Sequence, residues 1–400
     1  MKLFKYEMKK LLMNRTKMIL LAIMFLFYGL LGFTFTLGNE SEQKSDVAEY
    51  NSLVTANAGS LNQKQYEESR SKMQAAIAGY GTGEPLQYYL NRDPMLRFHF
   101  KYAAFGQSVY EYWNGPAEQD SGNIRGVYPL REKLSELEAQ GKTDTYVYKL
   151  YRKKLLAEEA TGEPVFENAG IWNVFAVMFD GILITLLLMM VFPFFISLLF
   201  TQEVKTDMDS IVLCSKMGRR EIVTAKLLSA AVSSAVITLT YFLGTFTGAF
   251  IGIRDLSGFG VSARSIEGFR YCLMNISAGE AVLLGILWVI FVSVIFGLAL
   301  SLVSSLLKNQ AAAFGLGIVV LLSGIMSGML PSHIKELLWL AVDFNFGALV
   351  QYMNIFSGTK FYNFFTEPIS YGMASIVMCF IIAAISCLLV YFAQRKRSAS

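Results

Sequence analysis

Long apolar runs broken by charged clusters dominate the chain. Six runs satisfy the roughly 20 apolar residues a membrane-crossing helix needs: 18–38, 172–200, 227–253, 280–306, 311–330 and 371–393. They contain only two charged residues, Asp180 and Glu280, and Glu280 opens its run. The second, third and fourth exceed the minimum, so tilt or extension beyond the bilayer is expected. Between the first two runs lies a polar segment, 39–170, with a different period. Leu130, Leu134 and Leu137 recur at helical spacing beside Glu132, Lys133, Glu136 and Glu138. From Tyr146 to Glu159 a second helix is predicted, with Tyr146, Leu150, Leu155 and Leu156 inward, and Gly141 and Gly162-Glu163-Pro164 punctuate the two. Aromatics crowd this segment at Tyr88, Phe98, Tyr102, Phe105 and Trp113; they predict a small helical core, or an aromatic surface for a peptide or lipid.

Composition agrees with the pattern. Hydrophobic residues make up 54% and charged residues 16% of the 400, and soluble domains carry about 25% charged residues. So much apolar surface must meet lipid, and the chain is predicted to be an all-α polytopic membrane protein with a mainly helical extracytoplasmic domain. The net charge of +4 is too small and too dispersed for a nucleic-acid binder.

Basic residues near the ends of the runs set the orientation. Lys2, Lys5, Lys9, Lys10, Arg15 and Lys17 precede the first run, and Lys205, Lys216, Arg219, Arg220 and Lys226 lie between the second and third. Lys308 lies between the fourth and fifth, and Arg395, Lys396 and Arg397 follow the last. These segments alternate, so all are expected inside, with both termini cytoplasmic and 394–400 a short tail. Arg254, Arg264 and Arg270 fall in an opposite loop and run against this. Segment 39–170, with 15 basic and 19 acidic residues, is too long to obey the rule. The first run has no Ala-x-Ala-type site and is expected to be an uncleaved anchor. Trp172, Tyr371 and Tyr391 stand at expected interfaces.

Little catalytic chemistry is on offer. Cys214, Cys272, Cys379 and Cys387 form no CxxC pair, and His99 and His333 belong to no HExxH or Cys/His cluster, so no metal and no cofactor is expected. Gly141-Lys142-Thr143 resembles the end of a P-loop, but Glu136 stands where the first glycine belongs. An intramembrane protease would need paired aspartates or a Ser/His pair within the runs, and only Asp180 is there; it lines a cavity or sits near the headgroups. A proton-coupled transporter would need several buried ionisable groups and internal repeats.

Two segments are amphipathic. In 1–17, Phe4, Met8, Leu11 and Leu12 share an arc opposite Lys2, Lys5, Lys9, Lys10 and Lys17. This predicts an interfacial helix with its apolar side in the acyl boundary. In 201–226, Val204, Met208, Ile211 and Val212 form an apolar face. Gly218 offers a turn, and Arg219-Arg220-Glu221 starts the helix into the third run.

Here the chain resembles the type-2 permeases of ATP-binding-cassette (ABC) transporters, in the branch with a large outer loop between the first two spans. The resemblance rests on the basic elbow helix, the six spans, Glu203 just after the second, and the later run Gly218-Arg219-Arg220-Glu221-Ile222-Val223-Thr224-Ala225-Lys226. Lys205-Thr206-Asp207 stands where many members have Gly-Thr, and Lys216-Met217-Gly218 where many have a proline. The resemblance implies a plasma-membrane export subunit without its own ATPase, assembled with a second permease subunit, identical or not. A cytoplasmic ATPase dimer would dock on 201–226 through Glu203, Met208, Ile211, Gly218, Arg219, Arg220 and Glu221. ATP-driven closure would then rock the spans between inward and outward states. It also implies short re-entrant helices in 331–370. A non-transporting receptor or scaffold, with 39–171 as its sensor, is the alternative, and the substrate class stays open.

Overall fold

In a computed structural model the described residues are 2–12, 14–40, 44–79, 93–116, 124–180, 190–205, 218–253, 256–307, 309–328, 330–356, 358 and 360–397. A short helix α1 (Lys2–Leu11) leads into α2 (Arg15–Glu40). Among the described residues five helices follow in the first large insertion: α3 (Lys44–Ala56), α4 (Gln63–Gly79), α5 (Pro94–Asn114), α6 (Val127–Ala139) and α7 (Tyr146–Thr161). The chain continues through α8 (Ile171–Asp180), α9 (Leu198–Lys205), α10 (Gly218–Ile253), α11 (Ala278–Leu306) and α12 (Gln310–Gly328). Four short helices come next, α13 (Ser332–Leu337), α14 (Trp339–Asp343), α15 (Phe346–Val350) and α16 (Tyr352–Phe356). The antiparallel hairpin β1 (Phe361–Phe364) and β2 (Glu367–Ser370) then precedes α17 (Tyr371–Arg397).

Among the described residues four helical stretches are long and apolar enough to cross a membrane: Arg15–Thr36, Arg220–Ile253, Ala278–Leu306 and Tyr371–Arg395. They coincide with the first, third, fourth and sixth apolar runs. The second run appears as α8 and the helical stretch Met190–Gln202, on either side of residues 181–189, which lie outside the described set. The fifth coincides with α12.

Local chemistry explains the boundaries. Ser277 caps α11 and Glu280 reaches back to the Ser277 amide, a capping box that satisfies two otherwise orphaned N–H groups. Asp93 caps α5 ahead of Pro94, and Thr145 caps α7. The hairpin turn Phe365-Thr366 holds both residues at positive φ (49° and 69°), the twist a two-residue hairpin demands.

Helices α2 and α10 make the closest pairing, through glycines. Gly244, Gly248 and Gly252 recur every fourth residue on α10, and a side chain at Gly248 would collide with the Gly29 carbonyl of α2. At Gly32 it would strike the Thr245 carbonyl. In lipid no hydrophobic drive brings helices together, and such small-residue stripes let the backbones touch. The contact between α10 and α11 is similar, with Gly297 against the Ser234 hydroxyl.

The described residues of the insertion form two small cores. Tyr50, Val54, Phe98, Tyr102, Phe105 and Phe166 form one, and Ile124, Leu130, Leu134, Leu150 and Tyr151 the other. The aromatics Phe98, Tyr102 and Phe105 are therefore core. On α7, Tyr151 is buried, whereas Leu156 is 57% exposed and corrects the expected inner face. Arg264 ties this insertion to the 256–277 connection. Its guanidinium donates to Glu158 (2.7 Å), Thr161 (2.9 Å), the Gly162 carbonyl (2.9 Å) and the Cys272 carbonyl (2.9 Å). Lys149 pairs with Glu367 on the hairpin, and Lys153 donates to the Pro368 carbonyl. The described residues of 44–170, together with 256–277 and 361–370, thus pack together at one end of the bundle. Arg264 and Arg270, which run against the charge rule, face Glu158 and Glu111 there.

Candidate coupling site

The opposite end of the bundle holds the ends of the amphipathic segments. Helix α10 begins at Gly218, well before the apolar run that starts at 227. Its early turns give α1 a protein surface to cover. Leu11 and Leu12 are buried in the main core, Met8 packs on it, and Ser233 of α10 lies 3.9 Å from the Met8 sulfur. Met8, Leu11 and Leu12 of the apolar arc therefore face protein. Lys5 and Lys9 remain exposed on the other side.

Lys226 is the centre of this end. Its ammonium donates to the Leu199 carbonyl of α9 at 2.6 Å, lies 3.7 Å from the Glu7 carboxylate of α1, and sits over the Phe200 ring at 5.0 Å. Both charged side chains are almost wholly buried, at 1% for Lys226 and 7% for Glu7. A buried charge needs a partner and hydrogen bonds, and here those contacts join three chain segments. Glu7 is the only acidic residue among the first 39, the one signal that could have marked it.

A second junction lies beside it. The Ser304 hydroxyl of α11 donates to the Ser197 carbonyl (2.9 Å) and accepts from the Phe200 amide (3.2 Å). It thus satisfies backbone groups at the turn where the 190–196 helix passes into α9. Thr224 and Tyr391 hydrogen-bond to each other, tying α10 to α17. A cleft of about 620 Å³ opens next to this junction, lined by Phe194, Ser197 and Thr201 on one side and Asn309, Gln310 and Phe314 on the other.

The residues expected to dock a partner divide as follows. Arg220 and Glu221 are exposed in the first turn of α10, and Gly218 is its first residue. Glu203 lies in α9 and Arg219 in α10, as backbone positions. Met208 and Ile211 lie outside the described residues, as does Lys308. Asp180 is not among the residues that line this cleft. Its carboxylate accepts the Met353 amide at 3.0 Å at the start of α16, while the Tyr352 hydroxyl donates to the Ala176 carbonyl (3.0 Å). Asp180 and Tyr352 thus pin the end of α8 to α16. Among the described residues no group of three or more His, Cys, Asp or Glu side chains could hold a metal ion.

Several long apolar helices joined by glycine stripes, with a polar end where an amphipathic helix meets two spans, define a multi-pass membrane protein. The chain belongs to the ABC-2 family of transporter proteins: the pattern of that family, described as ABC-2 family transporter protein, matches residues 1–396. It is an ABC transporter permease, the membrane subunit of a transporter. No curated protein and no solved structure matches the chain.

Proposed function

We propose that the chain is the membrane subunit of an ATP-driven exporter in the plasma membrane, with six spans and both termini cytoplasmic. Helix α8 and the helical stretch Met190–Gln202, with 181–189 between them, form the second span, and α12 forms the fifth. Residues 39–171 and 331–370 face outward, with the α13–α16 helices partly re-entrant. Leu337, Leu338, Trp339 and Leu340 of that stretch are exposed, which suits contact with lipid or a second permease subunit. A cytoplasmic ATPase dimer docks on 201–226 of two such subunits and supplies the hydrolysis; this chain itself carries no catalytic residue.

The observation that carries this reading is the Glu7–Lys226–Leu199 junction. Lys226, which follows the 206–217 stretch, meets Leu199, which precedes it, and Glu7 of the N-terminal helix, so a force applied to that stretch reaches the second and third spans together. Glu203, Met208, Ile211, Gly218, Arg219, Arg220 and Glu221 are assigned to the docking surface, with Met208 and Ile211 as apolar anchors. Native mass spectrometry of the mildly solubilised complex tests the assembly. Two permease chains and two ATPase chains are expected, and a lone permease with no ATPase would contradict it.

A further inference from the structure

We propose that the outer end of the protein carries a binding site for a phosphate-bearing ligand. It is separate from the coupling junction, and only its placement on the outer side rests on the topology proposed above. A cavity of about 440 Å³ lies between α3, α5, the 164–170 connection and the loop that holds Ser265 and Arg270. Gly170 and Asn173 are in its wall, at the entry to α8, so the cavity reaches the outer end of an apolar run.

Its charge runs against its surroundings. Segment 39–170 has an excess of acidic residues, 19 against 15 basic. The cavity nevertheless gathers Arg97, Lys101, Arg264 and Arg270 against one acid, Glu167. Arg264 is committed to Glu158 and to backbone carbonyls, and Glu167 accepts the Ser262 amide at 3.1 Å. Arg97 and Lys101 are one helical turn apart on α5, both over the Tyr50 ring, at 4.9 and 5.6 Å. Arg270 faces Glu111 only at 3.7 Å, and the Tyr271 hydroxyl already donates to that carboxylate oxygen at 2.6 Å. The Arg270 Nε and Nη2 atoms and the Ser265 hydroxyl are buried without a hydrogen-bond partner among the described residues.

Buried donors left unmatched are costly, and an anion would satisfy them. Cations on two different elements, with a hydroxyl in the same wall, suit a group with three or four acceptor oxygens better than a carboxylate with two. Phe100 and Phe105 supply an apolar wall for the rest of the ligand. The shared chemistry is a phosphate ester, arriving as the headgroup of an outer-leaflet lipid or as a soluble compound.

Binding to the full chain in a maltoside detergent, which has no phosphate, tests the site. The probes are dihexanoyl-phosphatidylglycerol below its micellar concentration and glycerol phosphate. At least one should bind, less tightly as salt rises. Arg97→Gln with Lys101→Gln should weaken that binding tenfold or more, and Arg270→Gln, measured in parallel, should weaken it as well. Lys64→Gln with Lys142→Gln removes the same charge from exposed sites and should leave it unchanged. Tighter binding of the lipid assigns the site to a headgroup, and equal binding assigns it to a soluble ester. Absence of binding by the wild type would overturn the proposal, and so would equal affinities in wild type and cavity variants, or equal losses in both double variants.

Discussion

Glu7 and Lys226, 219 positions apart in the chain, face each other at 3.7 Å inside the protein, and the lysine reaches past the pair to the Leu199 carbonyl. Removing one partner of such a pair strands a buried charge, at a cost of about 3–5 kcal/mol, whereas replacing both by neutral groups is often tolerated. Glu7→Gln and Lys226→Met should each lower the unfolding temperature of the purified chain, and the double variant should regain most of the loss. Equal stability of both single variants and wild type would remove the junction from the account.

The α2–α10 contact rests on bare backbone at Gly248. Gly248→Val puts a side chain into the Gly29 carbonyl, and overpacking costs about 1–3 kcal/mol or more. Loss of monodisperse protein on gel filtration is expected. Gly315→Ala, where a methyl group meets open space, should behave as wild type.

Arg264 spends its guanidinium on four acceptors that join α7 to the 256–277 connection. Arg264→Ala leaves Glu158 without its partner at a nearly buried site and should cost about 3 kcal/mol. Limited proteolysis should then cut within 39–170 or 256–277 under conditions that leave the wild type intact.

Much of the membrane architecture was legible because lipid imposes a composition on any helix that crosses it. The four long apolar helices coincide with runs visible in the chain. The start of α10 was legible too, since Gly218 offered a turn and Arg219-Arg220-Glu221 a helix start; that α1 covers its first turns was not. Gly244, Gly248 and Gly252 carried a readable small-residue period, although the partner they approach is not written beside them. Glu7, Ser304 and Arg264 were illegible as contacts because their partners lie far away in the chain. In 331–370 the short helices leave Leu337 exposed and bury Leu349, a division that depends on Trp288 reaching the Leu349 carbonyl at 2.7 Å.

Lys154 gives a pH dependence with a definite sign. Burial first, then the charge of Arg125, lowers its pKa from 10.5 to about 8, against an opposing effect of Glu158. Below pH 8 it is charged in both the folded and the unfolded chain, and the full cost of burying that charge opposes folding. Between pH 8 and about 10 the folded lysine loses its proton while the unfolded one keeps it, so this contribution to stability rises with pH. Lys154→Met should therefore be more stable than wild type at pH 7, by up to roughly 3 kcal/mol. That advantage should shrink toward pH 10, as read from thermal unfolding of both proteins across the range. An advantage that does not change with pH would show that the ammonium is not the destabilising group.

The coupling assignment is tested most directly by purifying the permease with its ATPase and measuring bound ATPase and ATP turnover in the same samples. Met208→Asp and Ile211→Asp should abolish co-purification, since a charge replaces an apolar anchor. Arg219→Ala with Arg220→Ala should leave membrane insertion intact, because Lys205, Lys216 and Lys226 still supply the basic charge of the proposed inner side, yet weaken recruitment or turnover. Glu203→Gln should keep the complex and reduce transport. If every one of these variants retains as much ATPase as the wild type and hydrolyses ATP at the same rate, 201–226 is not the docking segment.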